Sequence, residues 1–418
     1  MSTPATTNNI AAILDVVYNH TGPEGTHLHE FGPYLSERYR TPWGSTFNFD
    51  GEYSDEVRHF FIENALYWME DFHFDALRLD ALHAIFDASP KTFIEDLSSC
   101  VGERGAHLGK RTYLIGESAD NNRKLITPPE LGGFGLDAQW NDDFHHCLHT
   151  ILTEEHDGYY QDYGSEGQLL RTFQEGFVYS GEYSRFKKRR HGTPSRDISP
   201  EHFVVFSQNH DQVGNRAMGE RLSVLVSFEE LKLAAGVVIL SPYIPLLFMG
   251  EECAEKTPFL YFVSHSDTSV IDNTREGRSE EFRSFGWGEE IPDPQDPSTF
   301  MRSKMGWCHS GDGKVMLEFY RKLLHLRKGL DSLSRMKRGS MSVEMCNNIL
   351  SVRRRRNQNE TLALFNLSTS KSRVACEPRW RGVVDSAAVL WHGPGASIIR
   401  GSELELNPRS FVLLSRKV

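Results

Sequence analysis

Short apolar runs bounded by polar residues recur along the first three quarters of the chain, and most are too short to be anything but strands. They cover roughly residues 10–17, 76–80, 112–117, 134–140, 203–208 and 244–250. Between the first two lies a longer stretch with helical spacing. Val57, Phe60, Phe61, Ala65, Trp68 and Met69 fall on one face, Ser54 is placed to cap it, and Asp55 and Glu56 suit its positive end. A second amphipathic helix follows Ser227, with Phe228, Leu231, Ala234, Ala235 and Val238 aligned, and a third runs from Val315 to Arg327. Strand, helix and strand at this spacing predict parallel pairing in an α/β fold.

Beyond residue 332 the texture changes. The runs at 349–352, 361–365, 389–391 and 410–414 are short, carry no helical period, and are separated by polar and Gly/Pro turns. They predict a C-terminal antiparallel β-domain, a β-sandwich over residues 333–418, behind a barrel-type domain over residues 1–332. Six barrel strands are countable where a closed (β/α)8 TIM barrel needs eight. The shortfall lies at the front, so the expected barrel is N-terminally incomplete.

Bulk properties exclude several classes. Lys+Arg 46 against Asp+Glu 57 leaves a net charge of -11, which argues against a nucleic-acid partner and favours a neutral ligand. The basic run Arg353–Arg356 sits between Leu350, Val352 and Leu362, so a strand with a solvated end accounts for it better than a nucleic-acid patch. Six cysteines are scattered without a CxxC pair, and no HExxH motif occurs, so neither a disulfide framework nor a zinc site is expected. The longest apolar stretch, Ala234 to Met249, is broken by Pro242 and Pro245, and the opening residues lack a signal-peptide pattern. A soluble cytoplasmic protein without membrane contact is the expectation.

Four acids close the apolar runs: Asp15 after Ile13-Leu14, Asp80 after Leu77-Arg78-Leu79, Glu117 after Leu114-Ile115-Gly116, and Asp211 in Gln208-Asn209-His210-Asp211. Parallel barrel strands converge at their carboxyl ends, where chemistry is built. Strand alternation puts Arg78 and Asp80 on one face, and a neighbouring arginine keeps a carboxylate ionised, as a nucleophile requires. Glu117 follows an apolar strand, where desolvation favours the protonated acid. Taken singly, an RxD is as readily a buried ion pair, a strand-end glutamate a solvated terminus, and NHD a turn.

In order, the segments are more specific. Asp15-Val16-Val17-Tyr18-Asn19-His20, Leu77-Arg78-Leu79-Asp80-Ala81-Leu82-His83, Ile115-Gly116-Glu117-Ser118 and Gln208-Asn209-His210-Asp211 resemble the four signature regions of the α-amylase family of glycoside hydrolases. Within that family, Asp137-Ala138-Gln139-Trp140-Asn141-Asp142-Asp143-Phe144-His145-His146, Asn209 to Arg216, Leu247 to Glu252, Glu281 to Trp287 and Ser303 to Trp307 resemble the malto-oligosyltrehalose trehalohydrolases. The resemblance implies a retaining mechanism without metal or other cofactor. Asp80 would be the nucleophile, Glu117 the acid and base, and Asp211 the stabiliser of the oxocarbenium-like state. It implies substrate-binding roles for Asp15, His20, Arg78, His83, Asp142, Asp143, His210, Gln212 and Arg216, on a malto-oligosyltrehalose or related α-glucan. Asp142 and Asp143 suit a helix cap equally well, and Trp140, Phe144, Tyr159, Tyr160, Phe177 and Tyr179 could be stacking platforms or core. Asn19 resembles a calcium-holding position of some family members, but no wider ligand set is legible. A branching transferase and an inactive glucan-binding remnant are the competing readings.

Family members also carry an N-terminal β-sandwich module and two barrel strands before the region that starts here at Asp15. Losing two strand–helix units would remove more buried apolar surface than the roughly 5–15 kcal/mol by which domains are stable. The recombinant 418-residue chain is therefore expected to be poorly soluble or inactive, and an upstream segment with two βα units should rescue trehalose release. A soluble, monomeric, fully active product would overturn this expectation.

Overall fold

The structure is a computed structural model that describes residues 9–41, 43–284, 291–307, 310–334 and 338–417. Of the quoted motifs, Phe285-Gly286-Trp287 and the side chains of 281–284 lie outside the described residues, as does Cys308. The chain divides into two compact units, one taking in residues up to Trp140 together with His191–Ile198, the other Asn141–Arg190 and Ser199 onward.

The first unit is built on a parallel sheet. β1 (Ile13–Val16) is followed by β2 (Leu35–Thr41) and β3 (Gly44–Phe47), which form an antiparallel hairpin, and then by helix α1 (Ser54–Glu70). β4 (Ala76–Leu79), α2 (Phe93–His107), β5 (Tyr113–Gly116) and β6 (Ala138–Trp140) complete it. The parallel order is β1-β4-β5-β6, with Asp15 opposite Arg78 and Leu79 opposite Gly116. Among the described residues β1 pairs only with β4, and its Ile13 and the following Val17 are 54% and 48% exposed.

Helix α1 departs from the expected details. Ser54 is its first helical residue; the preceding Tyr53, at φ 58°, occupies the cap without a side-chain hydrogen bond. Val57, Phe61, Ala65 and Met69 are buried as the spacing predicts, joined by Ile62 and Leu66, whereas Phe60 is 42% exposed and Trp68 half-buried. The buried stripe is thus rotated toward the i+1 positions, where Phe61 packs among Tyr18, Phe47, Phe49 and Phe93.

The second unit starts with α3 (Asp142–Thr153) and α4 (Glu166–Glu175), followed by β7 (Ser180–Ser184) and β8 (Arg189–Gly192). β9 (Phe203–Val205), α5 (His210–Gly214), α6 (Phe228–Ile239) and β10 (Ile244–Pro245) come next, with β9 and β10 parallel. α6 starts at the capping box formed by Ser227 and Glu230. α7 (Thr268–Ser284) and α8 (Gly311–Gly329) precede the C-terminal strands. Each of the six expected barrel strands is present, trimmed at its ends. Among the described residues no helix is long and apolar enough to cross a membrane.

Antiparallel strands β11 (Met341–Cys346), β12 (Ile349–Arg356), β13 (Asn359–Asn366), β14 (Ser372–Ala375), β15 (Arg381–Asp385), β16 (Ile398–Arg400), β17 (Glu403–Leu406) and β18 (Ser410–Lys417) end the chain. They form one sheet in the order β11-β12-β13-β18-β15 and another in the order β14-β17-β16. Ile349, Leu362, Leu364, Leu404, Leu406, Val412 and Leu414 join in one core with Trp380. Residues 389–391, expected as strand, form a 3-10 turn instead. Helix α6 approaches β18 closely: a Cβ at Gly236 would stand 2.2 Å from the Phe411 ring.

The basic run ends strand β12 with Arg355 exposed, as expected, but one of its members is not solvated. Arg354 points inward and is 2% exposed; its Nη1 donates to the carbonyls of Leu240 (2.9 Å) and Ser241 (3.2 Å), and its Nη2 to that of Leu333 (3.2 Å). Arg327 donates to Ile239 and Ser241, so two guanidiniums close the carbonyl end of α6, where the helix dipole favours cations. Arg354→Met should lower stability by about 3 kcal/mol, because it strands buried carbonyls. Arg355→Ala, at an exposed position of the same run, should stay within about 0.5 kcal/mol. Urea midpoints of the two variants decide this.

Candidate active site

In the first unit, Asp80 and Glu117 are the first residues past the ends of β4 and β5. The Asp80 amide donates to Val16 O and the Glu117 amide to Leu79 O, so the ladder itself fixes both backbones at the carboxyl edge of the sheet. Gly116 permits this register, since a Cβ there would come within 2.6 Å of Leu82 and 2.9 Å of Leu136. Ala81 then takes a left-handed conformation (φ 39°), costly for a residue with a Cβ, and its amide donates to Glu117 Oε2 at 2.8 Å. The strained turn after the first acid is thereby bonded to the second.

Arg78 lies beneath them, nearly inaccessible. Its Nη1 donates to Asp15 Oδ1 (2.6 Å) and Asp80 Oδ1 (2.8 Å), while Nη2 stands 2.8 Å from Glu117 Oε2. The guanidinium also stacks 4.3 Å from the Trp140 ring centroid. Burial alone would make Arg78 less basic, but the carboxylates of Glu117, Asp15 and Asp80 outweigh it and raise its pKa, so it remains a cation. Asn19 Nδ2 donates to the backbone oxygen (2.8 Å) and Oδ2 (2.9 Å) of Asp80, which spends its amide on orienting that carboxylate. His20 is hydrogen-bonded to Asn19 Oδ1, and desolvation holds it below the usual histidine range against the pull of Asp80.

Trp43, which the sequence reading passed over, is half exposed and lies 5.8 Å from the His20 ring and 6.3 Å from that of the exposed His83. It borders an open cavity of ≈ 1160 Å3 lined by the β2–β3 hairpin, including Arg38 and Arg40, and by Glu52 beyond it.

In the second unit, Asn209 caps α5 by accepting from the amides of Asp211 (2.9 Å) and Gln212 (3.1 Å). Asp211 and His210 are open to solvent, with His210 Nε2 3.5 Å from Asp211 Oδ1. Asp142 accepts from Gln212 Nε2 (3.4 Å), and burial together with the like charges of Asp211 and Asp143 raises its pKa to about 7. His145 Nδ1 is 2.7 Å from the Ser207 carbonyl and Nε2 is 3.0 Å from Tyr160 OH. Burial, then the neighbouring His149 and His146, hold that ring neutral, so Nδ1 donates and Nε2 accepts.

Two of the residues expected to bind substrate are engaged in contacts within the protein. Asp143 is 2% exposed and accepts from the amides of Val178 (2.6 Å) and Tyr179 (3.1 Å) and from Tyr163 OH (2.5 Å). Arg216 is buried in a bidentate pair with Glu155 at 2.8 and 2.9 Å. Burial raises Glu155, but the hydrogen bonds from His149 and Arg216 outweigh it and hold the carboxyl at about 2. Both groups are consumed within the protein. Of the six candidate stacking aromatics, Trp140, Phe144, Tyr160, Phe177 and Tyr179 are core and only Tyr159 is half-buried.

Comparison with known proteins follows the same line. The fold is an α-amylase-type TIM barrel with a C-terminal antiparallel β-domain: the crystal structure of an α-amylase-family protein from Salmonella typhimurium superposes with a TM-score of 0.85 at 34% identity, over 99% of this chain and 69% of that one. No family model matches the sequence. The malto-oligosyltrehalose trehalohydrolase of Saccharolobus solfataricus is 49% identical over 319 residues, 76% of this chain and 54% of the relative. That of Arthrobacter ramosus is 46% identical over 329 residues, 77% of this chain and 56% of the relative. The chain belongs to the α-amylase family. It spans about half the length of these curated relatives.

Asp143→Ala should cost roughly 3 kcal/mol, since two buried amides and a tyrosine hydroxyl lose their acceptor. Thermal unfolding reads the loss, and a variant as stable as the parent would restore Asp143 to the ligand-binding candidates.

Proposed function

We propose that the chain carries the chemistry of a retaining glycoside hydrolase that cleaves the α-1,4 bond next to the terminal trehalose of a malto-oligosyltrehalose. One observation carries this reading: a single buried guanidinium reaches both Asp80 and Glu117 at adjacent strand ends. Two carboxyl groups about 5–5.5 Å apart are what retention requires. Asp80, paired with Arg78 and oriented by Asn19, attacks the anomeric carbon and forms a glycosyl ester as the bond to the leaving oxygen breaks. Glu117 gives its proton to that oxygen, and trehalose departs. Water then hydrolyses the ester, with Glu117 taking a proton back. The family resemblance gives Asp211 the stabilisation of the oxocarbenium-like state, with His20 and His210 holding the sugar. Asp142 and Gln212 supply polar contacts to hydroxyls, and Trp43 offers a ring face for a glucose unit. The relatives' names support trehalose as the released unit.

Asp80→Asn should abolish turnover while keeping most of the fold. Glu117→Gln should cut turnover on the natural substrate by about 10²–10⁴-fold, and much less on a glycosyl fluoride, whose leaving group needs no proton. Equal losses on both substrates would remove Glu117 from the acid role. Iodine staining of treated amylose would expose a branching transferase instead.

A further inference from the structure

Glu251 takes no part in the chemistry above, yet it is a carboxyl only 8% exposed, in the turn Glu251–Cys253 after β10. Its Oε1 accepts from the Tyr320 hydroxyl on α8 at 3.2 Å, and Ser207 Oγ lies 3.4 Å from its Oε2. Gln208 also hydrogen-bonds to it. A cavity of ≈ 10 Å3 adjoins these groups, lined by Ser207, Gln208, Glu251 and Tyr320 among others. Ser207 and Gln208 lead directly into Asn209, whose side chain sets the first turn of α5 and with it Asp211. The same segment is held from its other side by His145, bonded to the Ser207 carbonyl, while Gln208 Oε1 accepts from the Leu222 amide at 2.9 Å.

We propose that Glu251 is a positioning residue for Asp211, anchoring the Ser207–Gln208 segment to Tyr320 of α8 through its buried carboxyl group. The kinetic part of this proposal rests on the function proposed above; the anchoring does not. Among the described residues the hydrogen-bond partners of Glu251 are neutral. The charged groups facing it are Glu252 on its own turn and Arg221, which is shared with Glu252 and Glu255 and donates to the carbonyls of Thr257 and Met249. Burial raises the Glu251 carboxyl from 4.5 to about 8, so the anchor is a neutral acid at neutral pH. A carboxyl raised by folding contributes stability that is complete below its unfolded value and is lost as pH rises through its folded value.

The test uses the full chain with Glu251→Gln, Glu251→Leu and Tyr320→Phe, reading kcat and KM on malto-oligosyltrehalose and Tm against pH. Glu251→Gln, which keeps shape and neutrality, should retain most of kcat. Between about pH 5 and about pH 9 the wild-type Tm should fall relative to that of Glu251→Gln. Glu251→Leu should lose kcat with KM little changed, and Tyr320→Phe should lose part of it. A Glu251→Leu variant with wild-type kcat, or a Glu251→Gln variant whose Tm tracks the wild type across this range, would overturn the proposal. If the wild-type chain releases no trehalose, the functional reading fails, and the Tm difference alone decides for or against the anchor.

Discussion

A buried guanidinium cannot stand alone. Arg78 has left water almost completely, and the cost of that burial is offset only because Asp15, Asp80 and Glu117 converge on it. The dependence runs the other way too. Three carboxylates at the ends of three adjacent strands would repel one another, and the cation between them allows the parallel register to present them together. Trp140, at the end of the next strand, lays its ring face against the same group. The strand ends, the strained turn at Ala81 and the direction of both acids are therefore parts of one electrostatic solution. Side chains held this way need little reorganisation when charge develops during a reaction.

The second unit follows the same rule with different means. Buried polar groups there are closed into local sets: Glu155 with Arg216 and His149, Asp143 with two amides and a tyrosine, His145 with Ser207 and Tyr160. His210 and Asp211, on the first turn of α5, are partly open to solvent. The interior networks hold that turn in place and leave its acid available. Such closure is expected wherever dielectric is low, because a half-satisfied buried network costs more than an apolar one.

Much of this was legible in advance, and the successes share a cause. The six barrel strands, the helix after Ser227 and the helix around Val315 to Arg327 rest on local periodicity and capping, which act within a few residues. The pairing of Arg78 with Asp80 was readable for the same reason, since alternation alone puts them on one face. Mistaken details fall where distant partners decide. Nothing near Ser54 foretold that Tyr53 would take the cap, and nothing near Phe60 said that the buried stripe of α1 would turn toward Phe61. Residues 389–391 have a strand-like composition but form a 3-10 turn.

The amino-acid sequence by itself determined the order of strands and helices, the acids that end the strands, and the family to which those segments belong. Tertiary structure alone decided which polar residues face inward. Asp143 suits a cap or a ligand contact equally well in the sequence and accepts from the Val178 and Tyr179 amides, Arg216 pairs with Glu155, and Arg354 looks solvated yet closes a helix more than a hundred positions earlier. The physical reason is that periodicity records which face a residue occupies. Whether its hydrogen-bonding capacity is already used depends on groups that only folding brings within 3 Å or so.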